Sequence, residues 1–432
     1  MMGYFKSSII NIILRAATMA SKFILLLYMA RYLTPEDLGS FGLITVTIGI
    51  AVYVLGMDFY VYSGRELLKN VNVMTASMLR DQFIFHGTIY IIGLPLLIIP
   101  FLGGILPWNL IGWIYLILIM EHISQESYRI LITLSRATTA NLILFLRSGI
   151  WVYAAIIFGL LIPSLNNVQF ILISWMVGVA CSIAAAVYAL RRYAWHNIGK
   201  VPIDWTWIKR GASISLPFFI GTIALMGVQY MDRYFIQSYY GEAKVGIYTF
   251  YAQLANALQI FMASGVLSLI YPKLIASYQS GDRINYRIMK FKMIKGVLIG
   301  GLAIAVILSI TVPIIVNLLG RPHYSEFLSL FWILLGSAMT LTVSYIPHYM
   351  LYAQHRDKTI VRATLISCVT AIILNFLLVP QFGLYGAGIT SLLSSALLLI
   401  LKAVPIILNS GEINFNKQPV YDKRPITANT EV

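Results

Sequence analysis

The feature that most constrains this chain is a series of apolar runs, each about as long as a bilayer is thick. A helix needs about 20 mostly apolar residues to cross a hydrocarbon core of about 30 Å. The chain is 59% hydrophobic and 11% charged, whereas soluble domains carry about 25% charged residues. Spanning β-strands would show alternating segments of about ten residues rather than continuous runs. The sequence therefore predicts an all-α polytopic membrane protein.

Twelve such runs can be recognised, six before a polar stretch near the middle of the chain and six after it. Each is long enough to cross the bilayer once. We expect the spans at 9–30, 41–62, 83–106, 110–134, 141–162, 168–190, 211–236, 245–270, 294–319, 325–352, 360–380 and 383–407.

The polar stretch at 191–210 carries five positive charges and three tryptophans, a composition typical of a segment lying along the cytoplasmic surface of a membrane. We therefore predict a six-helix half at 1–190, an amphipathic linker at 191–210, a second six-helix half at 211–408 and a disordered cytoplasmic tail at 409–432. Substrate would pass through a central cavity between the halves.

The positive charges predict the orientation, because cytoplasmic connections retain Lys and Arg. With a cytoplasmic N-terminus, that side receives 23 of the 31 Lys and Arg residues and the other side only four. Both termini are therefore expected in the cytoplasm, and the basic loops are expected to contact lipid headgroups. The positive charge is better explained by this topology than by nucleic acid.

A short sequence repeat follows the first span of each half. YLTPEDLGSFGL begins at Tyr32 and YYGEAKVGIYTF at Tyr239, which aligns Gly39 with Gly246. Because each half has an even number of spans, a symmetry axis relating them would run along the membrane normal.

Several classes of chemistry are disfavoured. The connections are too short for a nucleotide-binding domain, and no sizeable loop could hold an active site, so we expect neither an enzyme nor a cofactor. Cys181 and Cys368 lie in apolar runs without a CxxC pair. The six histidines are scattered, and His122 beside Glu121 forms no HExxH motif, so no metal site is predicted.

Charge at membrane depth does need an explanation, because a Lys or Arg at a helix centre costs roughly 2.5–3.5 kcal/mol on insertion scales. Arg15 and Lys22 are seven residues apart in the first span, so they lie within about 20° of one helical face, and Asn11 extends this stripe. Arg147 and Arg129 add positive charge to the same half. These five residues predict a cation-lined cavity for an anionic substrate.

The acidic residues leave two interpretations open. Glu126 and Arg129 are at i,i+3, and Asp232 adjoins Arg233, so both are expected to form structural pairs. A network of internal salt bridges could therefore account for all the charges. Alternatively, Asp58, Glu121 and Asp232 could bind a coupling ion.

Four motifs resemble the polysaccharide flippases of Wzx type, in that family's order and spacing. They are ARYLTPEDLGSFGL at 30–43, VGIYTFYAQL from Val245, YPKLIASYQSGD from Tyr271 and LNFLLVPQFGLYGAGITSLL from Leu374. The resemblance covers about residues 5–408 and implies that the chain is similar to members of the multidrug, oligosaccharidyl-lipid and polysaccharide exporter superfamily, with a MATE-like fold.

The resemblance implies a bacterial inner-membrane protein that moves undecaprenyl-pyrophosphate-linked oligosaccharide to the periplasmic leaflet, for O-antigen (lipopolysaccharide) or capsule assembly. A polysaccharide polymerase and a chain-length regulator are the implied protein partners. Similar flippases carry basic residues in their first helix, which favours Arg15 and Lys22 as ligands of the pyrophosphate. A cation-coupled multidrug antiporter of the same superfamily and a membrane glycosyltransferase or polymerase are the alternatives.

Overall fold

The computed structural model describes residues 2–69, 75–191 and 201–408, and within these residues it is helical without a strand. Residues 192–200 of the predicted linker and the predicted tail at 409–432 lie outside the described residues. The α-helices are α1 (Met2–Tyr32), α2 (Pro35–Gly56), α3 (Tyr60–Lys69), α4 (Thr75–Leu96), α5 (Ile99–Leu102), α6 (Ile111–Thr133), α7 (Ala137–Phe145), α8 (Trp151–Leu161), α9 (Val168–Leu190), α10 (Trp205–Tyr230), α11 (Asp232–Met262), α12 (Ser268–Gln279), α13 (Arg283–Leu319), α14 (Pro322–Ser325), α15 (Leu328–Ala353) and α16 (Asp357–Leu408).

Nine helical stretches of the described chain are long and apolar enough to cross a membrane, and two of them are too long to cross only once. Trp205–Gln279 has 75 residues and Asp357–Leu408 has 52, which at 1.5 Å per residue would extend far beyond a bilayer. Each is interrupted by a glycine with left-handed backbone, Gly241 (φ 75°) and Gly383 (φ 56°). These glycines are the turns of two helical hairpins.

Close approaches within each hairpin confirm the reversals. A methyl group on Gly386 would lie 2.2 Å from the carbonyl oxygen of Leu378, although eight residues of straight helix would separate them by about 12 Å. The side chains of Tyr248 and Asp232 are likewise hydrogen-bonded across Gly241. Dividing both stretches gives eleven spans.

The remaining span, which is fourth in chain order, is α6, a 23-residue helix whose hydropathy is lowered by Glu121, Glu126 and Arg129. The all-α membrane fold with twelve spans is confirmed. The seventh span begins at Trp205, inside the segment predicted as linker, because Asp204 caps α10 by accepting a hydrogen bond from the Trp207 amide at 2.8 Å.

The second span is broken near one end, between α2 and α3. Met57 (φ 44°) and Asp58 (φ 50°) both have left-handed backbone, which is rare for residues other than glycine. Phe59 follows and is fully buried against Phe85 and Trp207. The chain therefore changes direction here and presents Asp58 to α10.

The start of α2 explains the motif YLTPEDLG. Thr34 and Asp37 form a reciprocal capping box, and Pro35 occupies the first helical position, where its missing N–H is not needed. A sharp helix start fixes the position of the next residues, including Gly39.

The first six and last six spans meet closely where α2 crosses α11, near the face at which α1 ends. Gly39 and Gly246, the glycines aligned in the sequence repeat, contact one another at this crossing. Ser40 donates a hydrogen bond to Glu242 beside it, and Arg321 donates one to the carbonyl of Arg31 at 2.6 Å. We call this side the opposite face, and the side where α1 begins and α16 ends the basic face.

Candidate functional site

A cavity of about 420 Å³ lies between the first six and the last six spans. Its wall contains aromatic rings, amides, hydroxyls and five charged residues, some positive and some negative. Such a mixture suits a ligand that carries both charge and hydroxyl groups. The charged residues of the wall are Lys22, Glu121, Arg147, Asp232 and Arg233.

Lys22 contributes the positive charge that is not balanced by direct pairing. It lies at the middle of the span formed by Ile10–Tyr32, yet its side chain is exposed and borders the cavity. Within the described residues, no carboxylate lies within ion-pair distance of its ammonium group and no atom accepts a hydrogen bond from it. An ammonium in this position can bind an anion without first breaking an internal pair.

Arg147 lies beside Lys22 but is partly neutralised. It belongs to a π-helical turn, Leu146–Ile150, between α7 and α8, and such turns often occur at functional sites. Its Nε is 3.4 Å from Glu121 Oε2, and its guanidinium donates a hydrogen bond to Gln125 Oε1 at 3.2 Å. Glu121 also accepts a hydrogen bond from Trp175 at 2.6 Å, so this carboxylate is held by two neighbours.

On the other wall, Arg233 and Asp232 neutralise each other. Arg233 Nη1 is 2.7 Å from Asp232 Oδ1, and both side chains are almost completely buried. Tyr248 donates a hydrogen bond to the second carboxylate oxygen. The pair predicted from their adjacency is therefore confirmed. The five charged residues of the wall sum to one positive charge, which is located on the first six spans.

The wall formed by the last six spans is rich in uncharged hydrogen-bonding groups. Gln253, Asn256 and Gln259 face the cavity from α11 at three-residue intervals, which places them on one side of the helix. Ser337 of α15 is hydrogen-bonded to Ser391 of α16 at 2.8 Å and also borders the cavity. We call the three α11 residues the amide row.

Arg15 and Asn11 do not line this cavity. Arg15 Nε donates a hydrogen bond to Asn141 Oδ1 at 3.0 Å, and Asn141 Nδ2 donates one to Asn11 Oδ1 at 3.0 Å. These three residues connect α1 to α7. Arg15 remains exposed, about 10 Å along the helix axis from Lys22 towards the basic face.

Arg129 also lies away from the cavity wall, in a buried pair. Its guanidinium donates a hydrogen bond to Glu126 Oε1 at 2.6 Å and lies 3.7 Å from the centre of the Tyr60 ring. This confirms the i,i+3 pair predicted from the sequence. The positively charged guanidinium of Arg129 is therefore already engaged in an ion pair and in a cation–π contact.

Asp58 connects the two groups of spans. It is buried, and its Oδ2 accepts a hydrogen bond from Thr222 of α10 at 2.6 Å, whereas its Oδ1 has no partner in the described chain. Of the three acids considered for ion coupling, Glu121 and Asp232 border the cavity and Asp58 does not.

The amide row was missed by reasoning from charge alone. A signal was present, because Gln253, Asn256 and Gln259 repeat at a helical interval within a run that is otherwise mostly apolar. Uncharged polar residues at membrane depth have a smaller insertion cost than charged ones, so their presence in a span is a weaker indication of a polar cavity.

A family model described as "polysaccharide biosynthesis protein" matches residues 4–277, more than half of the chain. No protein of curated function matches the chain. The solved structures it resembles include an inward-facing multidrug resistance MATE family transporter of the MOP superfamily, with a TM-score of 0.75, 13% identity and coverage of 93% of this chain and 96% of that one.

Two further similar structures support the same fold. An outward-facing multidrug resistance MATE family transporter of the MOP superfamily has a TM-score of 0.61 and 14% identity, covering 94% of this chain and 96% of that one. A eukaryotic MATE transporter has a TM-score of 0.57 and 13% identity, covering 96% and 98%. At these identities the likeness establishes the fold, which confirms the MATE-like architecture expected from the sequence.

Proposed function

Because the chain belongs to the polysaccharide biosynthesis protein family, we propose that it is a flippase for a lipid-linked oligosaccharide. The lipid would be undecaprenyl pyrophosphate in a bacterial inner membrane, and the oligosaccharide a repeat unit for O-antigen or capsule. In this proposal both termini and the basic face are cytoplasmic, which agrees with the distribution of Lys and Arg.

The observation that carries the proposal is the unpaired ammonium of Lys22, in a cavity whose other charged side chains form ion pairs and whose wall also offers hydroxyls, amides and rings. A pyrophosphate and a row of sugar hydroxyls cannot cross hydrocarbon without losing their water, and each unsatisfied polar group costs several kcal/mol. Lys22 would bind the pyrophosphate, with Arg147 as a second donor. The prenyl tail would remain in the surrounding lipid.

The amide row supports a neutral glycan as the other part of the ligand. Amides both donate and accept hydrogen bonds, as sugar hydroxyls do. The head group and the glycan would thus bind to different walls, the head group to the first six spans and the glycan to the last six.

Arg15 would act before the cavity rather than in it. It is exposed and lies about 10 Å from Lys22 along α1 towards the basic face. Within the part of the chain that the structure describes, it is hydrogen-bonded only to an amide. We propose that it attracts the pyrophosphate at the entrance and passes it to Lys22. The close crossing of α2 and α11 at the opposite face is consistent with loading from the basic face.

A cation-coupled multidrug antiporter is less well supported, because an organic cation would meet a wall with net positive charge. The fold is that of transporters, and a catalytic role for the cavity is not favoured by any of its side chains.

The test is genetic and uses a matched control. Deleting the gene should cause lipid-linked repeat units to accumulate on the cytoplasmic side of the inner membrane. Lys22→Ala, expressed in the deletion strain, should transport the repeat units about 10- to 100-fold more slowly than the wild type, because a charge-assisted hydrogen bond contributes about 1.5–3 kcal/mol. Lys69→Ala is the control, because Lys69 is exposed and paired with Glu66 on the surface. Full export by Lys22→Ala at normal membrane abundance would disprove the role of Lys22.

A further inference from the structure

Two buried histidines and a glutamate converge outside the cavity, between α4 and α6. His86 lies on α4, and His122 and Glu126 lie one turn apart on α6. Each contributes a potential ligand atom, and the three atoms all lie within 4.8 Å of one another. Their side chains are 4%, 1% and 1% exposed, respectively, so the cluster is closed to bulk water.

Both imidazoles carry a nitrogen with no hydrogen-bond partner. His86 Nε2 and His122 Nε2 are buried, and neither has a partner among the described residues. The two rings are 4.9 Å apart and nearly perpendicular. Leaving a buried polar atom unsatisfied costs about 1–3 kcal/mol, so two such atoms side by side call for a ligand that both can bind.

The surrounding groups hold the three side chains in place. Tyr90 Oη is 2.7 Å from His122 Nδ1, so that Nδ1–H can donate to the phenol and Nε2 is left with a lone pair. Gln82 donates a hydrogen bond to Glu126 Oε2 at 2.9 Å, and Arg129 donates one to Oε1. Outer partners of this kind orient the ligands in metal sites.

We propose that His86, His122 and Glu126 form a binding site for a divalent transition-metal ion of the zinc type. Two imidazole nitrogens and one carboxylate are a ligand set that zinc accepts, with a fourth position left for water or another oxygen. The carbonyl oxygen of Gln82, which is buried and has no partner, is a candidate for that position.

The local charge is compatible with a cation despite the guanidinium of Arg129. That guanidinium is paired with Glu126 and stacked on Tyr60, and the carboxylate of Asp58 interacts electrostatically with both members of the pair. The positive charge of Arg129 is therefore balanced by the carboxylate of Glu126 before an ion binds.

The site would join α4 to α6 beside the break in the second span. A methyl group on Gly56, the last residue of α2, would lie 3.2 Å from His122 Nε2. The left-handed residues Met57 and Asp58 follow immediately. A bound ion would therefore stabilise the first six spans next to the point at which the chain changes direction.

The three ligands do not form a local sequence motif, so the sequence alone predicts no metal site here. His122 and Glu126 have the i,i+4 spacing of ligands on one helix face, but the third comes from another span. Their meeting depends on the packing of α4 against α6.

The proposal can be tested on the full-length protein purified without a polyhistidine tag and reconstituted in nanodiscs. After treatment with a chelator, the protein is dialysed against Zn²⁺ or Co²⁺, and bound metal is measured by mass spectrometry and by the visible absorption of Co²⁺. We expect about one bound ion per chain and a visible Co²⁺ absorption typical of an ion with fewer than six ligands. The Tm of the protein should be higher with metal than without it.

The variants are His86→Leu, His122→Leu and His86→Cys, and His348→Leu is the matched control. His348 also has a buried nitrogen without a partner among the described residues, but it belongs to no ligand cluster in that part of the chain. Both His→Leu variants at 86 and 122 should lose at least about tenfold in affinity together with the metal-dependent rise in Tm. His86→Cys should retain binding, because a thiolate is also a zinc ligand.

Three results would overturn the proposal. The wild-type protein could bind less than about 0.1 metal ion per chain, His122→Leu could bind metal as well as the wild type, or His348→Leu could lose as much metal binding as the variants at 86 and 122. If His86→Leu and His122→Leu both fail to fold, His86→Cys decides, since a folded thiolate variant without metal would contradict the site.

Discussion

Gly39 and Gly246 contact each other reciprocally at the crossing of α2 and α11. A methyl group on Gly39 would lie 2.0 Å from the carbonyl oxygen of Glu242, and one on Gly246 would lie 2.0 Å from the carbonyl oxygen of Pro35. Each glycine thus faces the backbone four residues before the other. The two copies of the sequence repeat therefore contact each other in the folded protein.

Replacing either glycine with alanine should force the helices apart, because backbone atoms cannot yield as a flexible side chain can. We expect Gly39→Ala and Gly246→Ala each to destabilise the protein by about 1–3 kcal/mol, the usual effect of overpacking. Thermal unfolding in detergent measures this.

Gly49 provides the control for the crossing on the same helix. It borders the cavity, and a methyl group there would contact nothing within 4 Å. Gly49→Ala should leave the Tm nearly unchanged. If the Gly39 variant were as stable as the Gly49 variant, the close crossing would not be a feature of the folded protein.

Substitutions at Asp58 and at its hydrogen-bond donor can distinguish a structural role of this carboxylate from a role in ion coupling. Asp58→Asn keeps an oxygen that can accept the hydrogen bond from Thr222 and tolerates left-handed backbone, so its Tm should stay close to that of the wild type. It removes only the ability to ionise. We expect export to fall at least about tenfold if Asp58 binds a coupling ion, and normal export by this stable variant would exclude that role.

Thr222→Val is the companion variant, because it removes the hydrogen bond and keeps the carboxylate. It leaves a buried acceptor unsatisfied, at a cost of about 1–3 kcal/mol. A lower Tm with retained export would assign the Thr222 hydrogen bond to stability alone.

The amide row should determine how efficiently the glycan part of the substrate is transported. Substituting Gln253 or Asn256 with Leu would remove hydrogen bonds that sugar hydroxyls can use, each contributing about 0.5–1.5 kcal/mol. We expect roughly a 2- to 10-fold loss in transport of complete repeat units. Transport of undecaprenyl pyrophosphate carrying a single sugar should change less.

Gln279→Leu serves as the control for the amide row. Gln279 is an exposed amide near the basic-face end of α12 and does not border the cavity. An equal loss with both substrates in the Gln253 variant, or a comparable loss in the Gln279 variant, would contradict glycan recognition by the row.

Asp282 gives a pH-dependent prediction outside the spans. It caps α13 by accepting hydrogen bonds from the backbone and side-chain amides of Asn285, which lower the pKa of its carboxyl. Because the pKa is lower in the folded protein, the stabilisation is complete above the ordinary Asp value and is lost as the pH falls through the lowered value.

Hydrogen exchange at the first turn of α13 provides the measurement. Protection there should decrease on acidification below the ordinary pKa of Asp, about 3.9. Asp282→Asn, which cannot ionise, should show a flat profile over the same range. Identical profiles in the two proteins would mean that Asp282 does not control this turn.

The spans could be predicted because their signal is local. Length and hydropathy identify a crossing helix from about 20 consecutive residues, and the adjacent pair Asp232–Arg233 and the i,i+3 pair Glu126–Arg129 need only helical geometry. The structure contains all of these features.

The rotation of each helix about its own axis cannot be predicted from local sequence, because it depends on the neighbouring helices. Arg15 and Lys22 share a face of α1, but seven residues move the side chain about 10 Å along the axis, where the neighbouring helix is different. Lys22 therefore reaches the cavity and Arg15 reaches Asn141. The contacts of His86 with His122 depend in the same way on how α4 packs against α6.

The charged side chains that dominate one wall belong to the first six spans, whereas the amide row belongs to the last six. Under the proposed function, a molecule long enough to touch both walls would bridge the first six and the last six spans, and one of its two attachments would have to break before the other. The weaker attachment would release first, so the order of release would depend on how tightly Lys22 and Arg147 bind one end of the molecule and the amide row binds the other. Adjusting either wall alone would change which end of the cargo emerges last.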